Sequence, residues 1–551
     1  MTVPDSTMTV PTEESVDFTN TYEGSVPDTE HQFSVQDTDH QFSEAEEDPE
    51  AWLAMGADNS TFQLEKGEAY LNYYCLTIRE TNTIRVIHAN KDVKNIIRKV
   101  IKCNWPPGIT HELDEGGYWE LKLKGTPFWN SFNSEYALRV HRLICLMIQE
   151  LYAGGWEIII SSDLSRVRDL STFFLKRPAI PIKDAANVHI FTVTLSGENL
   201  MYLTNIPKST KHELIKILNE NWGKGVKKET YCKSGIVVAL GGKPWLDIKS
   251  MSAAARSLLH KMVNYLGMVG WELITTARVK NARDTLFFMK TRTAPAINDL
   301  VRSFFSLSIN GKDKLRVLHS SIPSIIDDLR KIITDWEGEI ISESIKNGSH
   351  EFEIKGNPFW CESTEAIQTR FLMIKILENL LEKGFRVQTA INPSSRLINK
   401  SLMIFRKGIP THLQVICISF DENDRIRIMN APEDFNNCVR SVIMERYGQR
   451  GIIKESTFRR AFDFKIRGQP WSGNNANDGI EARSMLCHLL QKVNMKGWRV
   501  VLSTDATSCA VKTDDRKDHP QDVQSWYLMK TDIVNRAVAK WKNPGISRTA
   551  S

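Results

Sequence analysis

Apolar residues recur along this chain at helical spacing in some stretches and in strand-like alternation in others. Between Trp129 and Trp156, the residues Val140, Ile144, Met147, Ile148 and Leu151 form one stripe at helical spacing. Upstream, YYCLTIRE and TIRVIH alternate as strands over roughly 71–79 and 83–88, and VKNIIRKVI has helical spacing over 91–103. A third strand fits 117–123, and WEIIISS and STFFLK add two more after the second helix. The predicted order is β-β-α-β-α-β-β.

The pattern returns three more times. Equivalent stripes are Ala255, Leu259, Met262, Val263, Leu266; then Thr369, Met373, Ile376, Leu377, Leu380; then Ala482, Leu486, Leu489, Leu490, Val493. A glycine–aromatic pair follows each helix, as Gly155-Trp156, Gly270-Trp271, Gly384-Phe385 and Gly497-Trp498, with the aromatics 115, 114 and 113 residues apart. Ahead of each helix stands a Gly-x-Pro-(Phe)-Trp element, ending at Trp129, Trp245, Trp360 and Trp471. After each comes an apolar strand ending in Lys176, Lys290, Lys407 or Lys530. Three markers in one order, four times over, establish a quadruplicated module.

An α+β fold is expected, with an antiparallel-dominated sheet and two helices on one face of each module. The expected division is a disordered acidic arm over 1–66, then modules over 67–182, 183–298, 299–410 and 411–551. The last carries a longer charged loop and a basic C-terminal run, Ile533–Trp541. A module of this size can own a core, so beads on a string are expected, oriented by short Pro-containing linkers at Arg177–Asp184 and Thr291–Ile297. The tryptophans are expected to clamp the helix ends to the sheet, and the glycine of each Gly-aromatic pair to form a left-handed helix cap. Modules one and three share Pro-Phe-Trp and a strand ending in His88 or His319; modules two and four lack both. That alternation predicts a duplicated two-module unit whose odd and even copies differ in their neighbour contacts.

Charge changes the picture at the N-terminus. The 551 residues hold 71 Lys+Arg and 66 Asp+Glu, yet residues 1–65 contain 16 acidic and no basic side chains. Residues 66–551 therefore carry a net +21. The arm is poor in aliphatic residues and cannot offset its ordering entropy by burial. It contains a tandem duplication, DTEHQFSVQ followed by DTDHQFSEA, with Phe33 and Phe42 as potential docking anchors. The nine cysteines are odd in number and form no Cys-x-x-Cys pair, which predicts reduced thiols in an intracellular compartment, cytoplasmic or nuclear. No apolar run reaches the roughly 18 residues of a membrane-spanning helix, and no secretory signal is expected.

Candidate chemistry is sparse. Fifteen residues before each glycine–aromatic position stand His141, Arg256, Arg370 and Arg483, a recurrent cation fit for anion capture or for an internal structural bond. The loop after the Gly-aromatic strand is the second candidate, with Arg166 and Arg168, then Arg278, Lys280 and Arg283, then Arg396. Phosphate-cradling, metal and nucleophile motifs are absent, so no catalytic, metal or cofactor residue is assigned and no cofactor is expected. The expectation is a non-enzymatic multivalent binding or scaffold protein with protein partners. The alternative is nucleic-acid binding through basic hairpin tips and strands, with an acidic lipid surface a further anionic candidate.

Overall fold

The computed structural model describes residues 71–129, 133–165, 169–178, 187–246, 252–280, 283–290, 304–320, 322–336, 338–346, 348–394, 400–473, 475–507, 509–512, 518–520 and 523–530. The acidic arm, the basic C-terminal run, the linker Thr291–Ile297 and most of the linker Arg177–Asp184 lie outside the described residues.

Module one runs β1 (Tyr73–Arg79), β2 (Thr83–Ile87), α1 (Lys91–Asn104), β3 (Ile109–Glu115), β4 (Tyr118–Leu123), α2 (Ser134–Ala153), β5 (Glu157–Ser162) and β6 (Asp169–Lys176). Module two repeats this as β7 (Ile190–Ser196), β8 (Leu200–Thr204), α3 (Lys208–Asn221), β9 (Val226–Cys232), β10 (Gly235–Leu240), α4 (Ser252–Met268), β11 (Trp271–Ala277) and β12 (Thr285–Lys290). Module three has β13 (Phe304–Asn310), β14 (Lys314–Leu318), α5 (Pro323–Asp335), β15 (Ile340–Lys346), β16 (Ser349–Ile354), α6 (Ser363–Glu382), β17 (Phe385–Ile391) and β18 (Leu402–Lys407). Module four has β19 (Val415–Asp421), β20 (Arg425–Met429), α7 (Glu433–Tyr447), β21 (Ile452–Phe458), β22 (Ala461–Ile466), α8 (Ala476–Met495) and β23 (Trp498–Thr504). Its longer loop adds a small hairpin, β24 (Ala510–Lys512) with β25 (Asp518–Pro520), before β26 (Ser525–Lys530).

Each module is thus a six-stranded antiparallel sheet with two helices, in the order β3-β4-β2-β1-β6-β5 for the first and its equivalent in the others. The fold class is the expected one, with one strand more than predicted. The extra strand, β3 and its counterparts, forms the outer edge and is mostly exposed. Its polar sequence carries no period-two apolar signal. The Gly116-Gly117 and Asn347-Gly348 dipeptides, hairpin-turn residues, are the sign that marks it. Side-chain caps from Asn90 and Asn133 fix the starts of α1 and α2, each accepting from a backbone N–H at 3.0 Å. Gly155, Gly270, Gly384 and Gly497 have φ of +81°, +83°, +80° and +82°, the left-handed geometry expected after each second helix.

The modules are not beads. The described residues form one compact unit. The first strand of each sheet is buried on both faces: Tyr74, Leu76 and Ile78 point at their own module's helices, whereas Tyr73 and Cys75 join the core of module four. Likewise Ile190 joins module one's core, Phe304 module two's, and Val415 and Cys417 module three's. The second helix of each module covers the far face of the next sheet, and α8 covers β1, so the series closes. Around the centre, β5, β11, β17 and β23 neighbour one another in a cycle. A sheet with one helical layer of its own leaves an apolar face open; borrowing the preceding module's helix buries it. Orientation is therefore set by shared cores rather than by linkers.

The tryptophan assignment needs one correction. Trp245 and Trp471 are buried as expected, but Trp129 is 62% exposed and Trp360 half-buried. Phe128 and Phe359 hold the buried place instead. Their backbone N–H groups donate to Thr81 O and Lys312 O, as those of Trp245 and Trp471 donate to Glu198 O and Asn423 O. The inserted phenylalanine has displaced the indole by one position. The aromatics after the second helix, Trp156, Trp271, Phe385 and Trp498, are all buried.

Candidate functional site

The recurrent cations converge on the module boundaries. Arg370 on α6 grips Asp421 at the end of β19, at 2.9–3.0 Å through two guanidinium nitrogens, and Arg427 reaches the same carboxylate at 2.8 Å. Arg483 on α8 donates to Asp169 at 2.6 Å and to Thr172 Oγ1 at 3.2 Å, across to module one. Arg256 on α4 donates to Lys400 O at 3.0 Å in module three. His141 on α2 lies beside Thr285 of module two, its ring 3.4 Å from the hydroxyl. Burial, reinforced by the charge of Lys280, pushes the His141 pKa down to about 3. All four are fully buried, which decides between anion capture and internal bonding in favour of the latter.

Of the loop candidates, Arg278 and Lys280 serve the same boundaries. Seven residues after each Gly-aromatic ring stand Asp163, Arg278, Asn392 and Asp505. Ser171 N–H donates to Arg278 O at 3.2 Å and Arg278 N–H returns a bond to Ser171 Oγ at 2.8 Å. Asp284 and Asn392 exchange bonds in the same way, as do Gln524 and Asp163, while Asp505 pairs with the buried Lys400 at 2.9 Å. Arg278 also forms an ion pair with Asp163. Arg283 stays within module two, donating to Trp245 O at 3.0 Å. Lys280 is buried with its ammonium 4.9 Å from the Tyr136 ring, and burial lowers its pKa to about 8. Arg166, Arg168 and Arg396 lie outside the described residues. Asp284 is raised to about 7 by burial, against the Asn392 N–H bond that favours its charged form.

Odd and even modules differ in these contacts, as their sequences predict. His88 and His319, both at positive φ, reach Ser484 and Ser257 on the preceding module's helix at 2.8 and 2.7 Å, beside His488 and His260. The even modules have Asn205 and Asn430 there, bonded to Gln149 at 3.1 Å and Glu378 at 3.0 Å. Burial first, then the neighbouring His488, lowers His88 to about 4; burial and His319 lower His260 to about 3.

The cationic strand end also has a place. Lys290, Lys407 and Lys530 lie 5.0, 4.4 and 5.4 Å from the centres of Trp271, Phe385 and Trp498. In module one the equivalent is Arg177, 5.7 Å from Trp156, whereas Lys176 pairs with Glu157. Lys290 and Lys407 also donate to the carbonyl just past the helix end, at Val269 O and Lys383 O.

Sequence reading missed the acids that complete these bonds, Asp169 and Asp421, and the strand arginines Arg85, Arg316 and Arg427. The latter pair with Glu120, Glu351 and Asp463 on the adjacent strand. An arginine inside a strand otherwise fit for burial was the available signal.

One family model matches the chain four times, over residues 72–176, 189–290, 303–406 and 414–529, which is most of its length. The chain belongs to that family. The family is defined by the domain itself, and its four matches coincide with the four sheets. No curated protein and no solved structure matches the chain. Among the described residues, no group of three or more His, Cys, Asp or Glu side chains is placed to hold a metal ion, and no helix is long and apolar enough to cross a membrane.

Proposed function

We propose that the protein is a non-enzymatic scaffold that binds partner proteins multivalently through four modules on one body. The observation that carries this reading is the contrast between inner and outer residues. Arg256, Arg370, Arg483, Arg278 and Lys280 are engaged at boundaries, and Arg283 is engaged within its own module. The outermost strands instead leave Ile109, Tyr231, Ile345 and Ile453 in solvent, Ile345 at 77%. An open strand edge beside large apolar side chains suits pairing with an extended segment of another chain. Four such edges at fixed separations raise avidity through effective concentration, without linker slack.

Crosslinking mass spectrometry on the full chain in nuclease-treated lysate tests this. Partner peptides are expected at residues 109–115, 226–232, 340–346 and 452–458, with retention only weakly dependent on salt. Retention abolished by nuclease, with the steep salt dependence of phosphate contacts, would replace this reading with nucleic-acid binding.

A further inference from the structure

The turns joining the two outer strands differ among modules in one respect. Modules one and three use Gly117 and Gly348, with φ of +128° and +71°. Module four uses Arg459 and Arg460, with φ of +50° and +70°, a conformation that costs every side chain but glycine. Strain held in place by its surroundings points to a use for the side chains.

That turn overhangs a cleft of about 670 Å3 at the boundary of modules three and four. Trp336 and Phe371 supply aromatic surface, and the Trp336 indole is fixed by its N–H bond to Gln368 O at 2.8 Å. The Arg460 guanidinium lies 5.2 Å from the centre of the Phe371 ring. Lys375 adds a third cation, paired at 2.9 Å with Glu378, whose carboxylate also accepts from Val415 N–H and Asn430. Asp335 is the acid lining the cleft. Phe371 has no aromatic equivalent elsewhere: the matching helix positions are Arg142, Ser257 and Ser484, the two serines being those that bond His319 and His88.

We infer that this cleft binds an acidic peptide segment carrying an aromatic or large apolar anchor. The ring surface takes the anchor, and the two guanidinium groups present N–H forks to flanking carboxylates. A cleft half open to solvent admits a passing chain, and the basic body steers acidic partners toward it. The inference rests on the scaffold reading and names the partner chemistry at one boundary.

The test is a double variant, Arg459→Gly with Arg460→Gly, which gives module four glycines where modules one and three have them. Peptides selected from a random displayed library on the full chain are measured by fluorescence anisotropy. An acidic–aromatic consensus is expected, with affinity about tenfold weaker in the double variant. Its thermal midpoint should equal or exceed that of the unaltered protein, because the strain is gone. Phe371→Ala should weaken the same peptides. The inference is overturned by a consensus lacking acids or aromatics, by unchanged affinity, by a lower midpoint in the double variant, or by an oligothymidylate binding in the peptides' place. Outer-strand crosslinks surviving such a failure leave the scaffold reading intact; their loss with peptide binding retained sinks that reading alone.

Discussion

Module one meets module two, and module three meets module four, through the same elements with opposite chemistry. At the first boundary Ala137 and Leu138 on α2 pack against Tyr202 and Val237, with neutral His141 beside them. At the other, Arg370, Asp421, Arg427 and Asp463 form a buried chain of ion pairs. The geometry is shared and the charge is not. Helix on strand sets the packing; the ionic chain is one of two ways to fill the same contact.

The sharpest way to break the comparison is Asp421→Ala. It takes the carboxylate from buried Arg370, while Arg427 keeps Asp463 and Glu422, and should cost about 3–5 kcal/mol by urea denaturation. Arg370→Met combined with Asp421→Leu should recover most of that loss, since an apolar pair already serves the first boundary. Leu138→Ala should cost about 2–4 kcal/mol through its cavity, independently of salt.

Titration sharpens it further. Unfolded histidines take up protons near 6.5, while folded His88 does so near 4 and His260 near 3. Their contribution is whole above pH 6.5 and drains away as pH falls toward 4, so urea midpoints should drop over that range. His88→Asn, which imitates the even modules, should flatten the drop. Asp284 behaves oppositely: it keeps its proton to about 7 folded but loses it near 3.8 unfolded. Its contribution is present below 3.8 and lost as pH rises through 7, so Asp284→Asn should gain about 1–2 kcal/mol at pH 8. The smallest effect is Lys407→Ala, about 0.5–1 kcal/mol from the cation over Phe385.

The modules, their helices and the inner strands were legible because each buries a periodic apolar stripe. The outer strand was not, because ITHELDE and VKKETYC pair through backbone while facing water. Closure was hidden for a different reason. A strand such as VICISFD, buried on both faces, reads the same whether its second cover is its own helix or a neighbour's. The cations at Arg256, Arg370 and Arg483 were found by their spacing; Asp169 and Asp421 were not, having no counterpart at matching positions in every module.

Closure also orders events on the ribosome. Asp169 waits for Arg483, 314 residues downstream, and Tyr73 and Cys75 wait for α8 as well. At about 5–20 residues per second, that interval is about 15–60 s. For that time the newborn N-terminal sheet shows a greasy flank that stays unshielded until the final quarter emerges.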